Sequence, residues 1–201
     1  MNFLMHLHFS CSEPELLVGN LMGDFVKGRL EDRFSPGIRR GIELHRKIDA
    51  FAATNEVFRA SRQRLDPSFG HYRGVLVDLF YDHFLAMSWD DYADVPFPVF
   101  MRHASRTLTV YEAVLPEQLR RLLPAIFTEL LPSYVDVAGI DRALSRMAGR
   151  IRRPNPLPSG GRELRLNYEG LRKDFHLFHR QLAIFVESVC AGTERSGSRS
   201  G

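Results

Sequence analysis

The chain has 201 residues, of which 44% are apolar, 25% charged and 11% aromatic, with a formal net charge of +3. These are the proportions of a folded globular protein and exclude a disordered chain. No apolar run approaches the roughly 20 residues needed to cross a bilayer, and two cysteines are too few for a disulfide framework.

The opening stretch, Met1 to Phe9, is apolar but has no basic flank and no small-residue cleavage site. No signal peptide is expected from it. With Cys11 and Cys190 read as free thiols, the expected compartment is the cytoplasm. Ser12 and Glu15 form a capping-box pattern ahead of a helix carrying Leu16, Leu17, Asn20, Leu21, Asp24 and Phe25. Ser35-Pro36 starts a second helix, with Ile38, Ile42, His45, Asp49 and Ala52 on one face. A third runs from about Tyr72 to Ser88.

Further helical patterns cover roughly Pro98 to Val114, Pro116 to Leu131, Val135 to Ile151 and Tyr168 to Cys190. Pro154 to Gly161 reads as an exposed loop. No sustained period-two alternation marks a strand. The expected fold is all-α, a single domain of about seven helices over residues 1–191, with a disordered Gly/Ser/Arg-rich tail at 192–201.

Histidine and aspartate crowd the first half. His6 and His8 flank Leu7: on a strand they would share a face, on a helix they would not. His45 and Asp49 are four residues apart and project the same way from one helix. Imidazole and carboxylate together suit Mn²⁺, Fe²⁺ or Zn²⁺. Asp78 and Asp82 repeat the spacing inside an otherwise apolar stretch, with His83 adjoining. Two such carboxylates repel unless a cation or proton lies between them. Asp24 follows Asn20 by one turn. Three helices thus offer ligands to a common interior, as helical bundles do when they build metal sites. His176 and His179, three apart with no carboxylate at helical spacing, read as structural. No P-loop, dinucleotide fingerprint or Gly-x-Ser-x-Gly elbow is present, which leaves metal-assisted hydrolysis as the favoured enzymatic class.

Four blocks carry a likeness. They are Met1 to His8, Gly19-Asn20-Leu21-Met22-Gly23-Asp24-Phe25-Val26-Lys27-Gly28, Gly41 to Asp49 and Leu76 to Leu85. Together they resemble the acyl carrier protein phosphodiesterases, in that family's order. The family is similar to a divergent branch of the all-helical HD metal-dependent phosphohydrolases, although this chain has Asp82-His83 in place of a His-Asp doublet.

The resemblance implies hydrolysis of holo-acyl carrier protein to apo-carrier and 4′-phosphopantetheine, with Mn²⁺ as cofactor and Mg²⁺ or another divalent ion as substitute. On that mechanism His6, Asp24, His45 and Asp82 bind one or two divalent metals. Asp78 or Asp49 accepts a proton or completes the coordination shell, His83 assists the leaving oxygen or binds phosphate, and Arg46 stabilises negative charge. The expected partner is the acidic carrier, met by the arginine-rich second half and by Arg39, Arg40, Arg46 and Lys47; neither nucleic acid nor membrane is expected. Two other readings use the same residues: a phosphohydrolase of nucleotides or another small phosphodiester, and a non-enzymatic helical adaptor for an acidic protein.

Overall fold

In the computed structural model the backbone is described for residues 3–10, 13–30 and 33–197, and side chains to residue 191. Among the described residues there are helices and turns but no strand, and they form an all-α domain of nine helices. The Ser12 cap expected from the sequence lies outside the described residues.

The chain opens with α1 (Phe3–His8), a short helix absent from the periodicity reading. Its sixfold length gives too few repeats for a period to show. α2 (Pro14–Met22) begins with proline in its first turn and ends in a tight turn, Gly23–Phe25. α3 (Pro36–Thr54) is capped by Ser35, whose hydroxyl accepts the Ile38 N–H. Asn55 then caps α4 (Glu56–Arg64), a mostly polar helix that the sequence reading did not resolve.

α5 (Tyr72–Met87) is buried on nearly every side from Leu76 onward, which fits its almost unbroken apolar sequence. α6 (Phe97–Val110) ends four residues before the expected boundary, at a tight turn over Glu112–Val114. α7 (Glu117–Ala125) passes through a π-helical turn, Ile126–Leu130, into one last turn at Leu131–Ser133. α8 (Val137–Arg150) is capped by Asp136. α9 (Gly160–Gly197) starts well before the expected Tyr168 and buries Leu164, Leu171, Phe175, Phe178, Leu182 and Val186 as a stripe of three- and four-residue steps and a seven.

Two packing relations place the site. A Cβ on Gly19 would lie 2.1 Å from the Ile38 carbonyl oxygen and 2.8 Å from the Gly41 Cα. Only glycines at this crossing let α2 and α3 approach so closely. The second relation joins α5 to α1. The Asp82 carboxylate accepts the Leu4 and Met5 N–H groups, each at 3.0 Å, and so caps the first turn of α1 from another helix.

Cys190 is disulfide-bonded rather than the free thiol expected from the sequence, and no described cysteine is free. A count of two cysteines does not tell which partners a fold brings together; Cys11 lies outside the described residues. No helix among the described residues is long and apolar enough to cross a membrane.

Candidate metal centre

α1, the end of α2 and the middle of α3 converge on a group of imidazoles and carboxylates. One ligand atom each from His6, His45 and Asp49 lie within 4.8 Å of one another. His45 Nε2 is 3.2 Å from Asp49 Oδ2, and His6 Nε2 is 3.4 Å from Asp49 Oδ1. Asp24, from the turn after α2, adds an oxygen 3.4 Å from His45 Nε2. The two rings stack, with centroids 3.9 Å apart and planes 17° from parallel. Both histidines are buried, whereas the Asp24 and Asp49 side chains are 41% and 38% exposed, so the group opens to solvent on its carboxylate side.

The far nitrogen of each ring is fixed. His6 Nδ1 lies 2.9 Å from Asn20 Oδ1, and His45 Nδ1 lies 2.8 Å from the Asn20 backbone oxygen. Both oxygens only accept, so each Nδ1 carries hydrogen and donates it. In a neutral ring the lone pair is then on Nε2, which faces the carboxylates. That is how metal-bound histidines are oriented.

The electrostatics follow from burial and charge. Burial pushes His6 down to about 4, with the neighbouring His45 charge acting the same way. Burial also works against a charged His45, but its hydrogen bonds to Asp24 and Asp49 outweigh it and raise that ring to about 9. Burial opposes ionisation of Asp49 and Asp24 as well. Hydrogen bonding to His45 overrides it and holds both below the ordinary carboxylate range.

These residues fit a divalent cation. His6 Nε2 is buried and makes no hydrogen bond. As a lone-pair nitrogen it faces a carboxylate oxygen, and two acceptors so placed need a cation or a proton between them. The 3.2–3.4 Å spacings match the donor-to-donor edge around an ion whose bonds are about 2.1 Å long, roughly 3.0–3.4 Å for octahedral or tetrahedral geometry.

Comparison with known proteins bears on what the group is for. The family model described as "Acyl carrier protein phosphodiesterase" matches residues 1–182. The chain belongs to the acyl carrier protein phosphodiesterase family. A relative of that name from Photorhabdus laumondii is 30% identical over 181 residues, covering 89% of this chain and 91% of its own. Those from Klebsiella pneumoniae and Escherichia coli are each 30% identical, over 190 and 191 residues, and cover 94% and 90% of this chain and 98% and 95% of their own. No solved structure matches the chain significantly.

Of the site residues this family likeness suggested, the fold gathers His6, Asp24, His45 and Asp49. Asp82 is not part of that group; its two oxygens accept α1 backbone N–H groups. Burial pushes its carboxyl up to about 7 against those two hydrogen bonds. Asp78, one turn earlier on α5, is raised to about 6 by burial, with the charges of Asp49 and Asp24 acting the same way. His83 is engaged elsewhere. Its Nδ1 donates to the Tyr134 carbonyl at 2.7 Å, and its Nε2 lies 3.1 Å from the Tyr168 hydroxyl. Arg46 donates to the Val26 and Gly28 carbonyls, at 3.2 and 2.8 Å, and pins the loop that follows Asp24.

His8, on helical rather than strand geometry, diverges from His6. Its Nε2 meets His179 Nε2 at 3.1 Å. The sequence pointed to Asn20 as a position on a helix face and within one block of the family likeness, with no role attached. Its signal there was a polar residue on an apolar stripe, in the turn before Gly23-Asp24.

Proposed function

We propose that this chain is a metal-dependent phosphodiesterase that hydrolyses holo-acyl carrier protein, releasing 4′-phosphopantetheine and restoring the carrier's serine. The observation carrying this reading is the His6–His45–Asp49 group, with Asp24 beside it, inside a chain matched over residues 1–182 by the phosphodiesterase family model. The imidazole and carboxylate donors suit Mn²⁺, with Mg²⁺ or another divalent ion as substitute. A cation held there supplies Lewis acidity, polarising a phosphoryl oxygen and lowering the pKa of water.

The chain's own residues then have distinct tasks. His6, His45, Asp49 and Asp24 supply the donors. In the reaction water adds to phosphorus, the bond from phosphorus to the carrier's serine oxygen breaks, and that oxygen takes up a proton from solvent. Asp78, raised to about 6, is matched to accepting the water's proton near neutrality. Arg46 is tied to the loop after Asp24 and holds that loop in place. In this reading Asp82 acts through α1, and His83 through the packing of α5 against α9, rather than on substrate. An acyl carrier protein as substrate implies a cytoplasmic location, an argument that does not depend on the cysteines. Its acidic surface would meet this chain's exposed arginines.

The test is to incubate the protein with holo-acyl carrier protein and Mn²⁺ and to weigh the carrier by mass spectrometry. The reading expects loss of one phosphopantetheine, abolished by chelator. An unchanged carrier alongside hydrolysis of a small phosphodiester would overturn the choice of substrate.

A further inference from the structure

We propose that Asn20 is the positioning residue of this centre: it holds both imidazoles with their Nε2 atoms toward the carboxylates, His6 through its side chain and His45 through its backbone. The inference rests on the metal reading above and concerns a residue that is not itself a ligand.

The hydrogen bonds around Asn20 leave it one orientation. Its Nδ2 donates to the His6 carbonyl at 2.7 Å and to Ser10 Oγ at 3.2 Å. The amide oxygen is therefore turned to His6 Nδ1. Ser10 in turn donates to the same His6 carbonyl, at 2.6 Å. Asn20 thus binds His6 at two points, backbone and ring, and α1 is fixed in position and rotation against α2. Its own carbonyl, near the end of α2, accepts the Gly23 N–H and the His45 Nδ1–H. Asn20 is fully buried, so water does not replace these bonds.

The alternative tautomer shows what Asn20 prevents. With hydrogen on Nε2, His6 would face Asp49 Oδ1, 3.4 Å away, as a donor. That arrangement satisfies the ring and the carboxylate and leaves no lone pair for a metal. The Asn20 amide oxygen tips the ring the other way. Asp49 is a ready acceptor, so removing Asn20 Oδ1 transfers the hydrogen to Nε2. His45 is held by a backbone oxygen that every residue type supplies. The effect of a substitution is therefore confined to His6.

The test reads the tautomer directly, by ¹⁵N NMR of the imidazoles in the full-length metal-free protein. It is combined with Mn²⁺ and Co²⁺ titrations of wild type, Asn20→Ala, Asn20→Asp and Ser10→Ala. Wild-type His6 is expected to carry hydrogen on Nδ1. Asn20→Ala moves it to Nε2, leaves the His45 Nδ1 signal in place and weakens metal binding about 10- to 100-fold. Asn20→Asp keeps an acceptor at His6 Nδ1 and so retains the Nδ1–H form, but it loses the Nδ2 donor to the His6 carbonyl and falls short of the wild-type affinity. Ser10→Ala leaves the tautomer unchanged.

A folded Asn20→Ala protein with wild-type tautomer and affinity overturns the proposal. So does an Nε2–H His6 in the wild type, which needs no variant. Should the wild type bind neither ion while the tautomers behave as stated, the metal reading fails and the Asn20 assignment survives. Metal binding in the wild type with an Asn20→Ala tautomer unchanged shows the reverse.

Discussion

The His6 ring lies flat on the His45 ring, 3.9 Å away, and the two share Asp49 at their Nε2 edges. The two titrate unequally: burial lowers His6 to about 4, with the His45 charge acting the same way, whereas hydrogen bonds to Asp24 and Asp49 outweigh burial and raise His45 to about 9. The metal-free group therefore holds one proton across the neutral range, on His45. A cation must displace that proton to use His45 Nε2. Metal affinity should rise roughly tenfold per pH unit up to about pH 9 and then level off. Calorimetric titration in buffers of different ionisation enthalpy should show one proton released per ion at pH 7.

The same proton bears on stability. The folded pKa of His45 lies above the ordinary 6.5, so its contribution is fully present below that value and is lost as pH rises through about 9. Thermal unfolding of metal-free protein should therefore show a falling contribution between pH 6.5 and 9. His45→Gln should remove that part of the pH dependence, which a difference plot of the two melting curves would display.

Gly23 has helical dihedrals, φ −53° and ψ −38°, where alanine would ordinarily stabilise by up to about 1 kcal/mol. Here a Cβ would lie 2.1 Å from His45 Cγ. Gly23→Ala should instead destabilise by about 1–3 kcal/mol and weaken metal binding by displacing the ring. Gly28, with φ +77° and open space where a Cβ would be, serves as contrast: its alanine variant should cost backbone strain of about 1–2 kcal/mol while leaving the His45 ring in place. Denaturant melts with parallel metal titrations would separate the two.

Asp82 offers two acceptors to two N–H groups of α1. Asparagine supplies one oxygen, so Asp82→Asn should destabilise by about 1–3 kcal/mol. Because α1 carries His6, metal affinity should fall with it. Excess Mn²⁺ should restore turnover. A folded Asp82→Asn protein inactive at saturating metal would instead place the carboxylate in the chemistry.

How far the sequence foretold this site follows from the reach of each contact. His45 and Asp49 were legible because one helical turn joins them, and Asp24 because it ends a stripe. The pairing of Asp82 was not legible. α5 is apolar on all sides, so its period points to no particular neighbour, and Asp82's partners are backbone N–H groups nearly eighty residues earlier. The role of Asn20 was hidden for a related reason. An asparagine on an apolar helix face announces a buried hydrogen bond but not the ring it serves. α4, largely polar, and α1, only six residues long, offered no apolar period to read.

His83 joins α5 to the Tyr134 carbonyl and to the Tyr168 hydroxyl on α9. His83→Ala should leave a buried carbonyl without its donor and cost about 1–3 kcal/mol. Metal affinity should remain at the wild-type level, and kcat should be retained below the lowered melting temperature. Steady-state kinetics at a temperature where the variant is folded would check this.

In the function proposed above, the His6–His45–Asp49 group holds the metal on which carrier hydrolysis depends. The decisive variant is His6→Ala, with bound metal and turnover of holo-acyl carrier protein measured on the same folded sample. It should lose the metal on dialysis, and turnover should fall by about 10³-fold or more. Full metal content with wild-type turnover would contradict it.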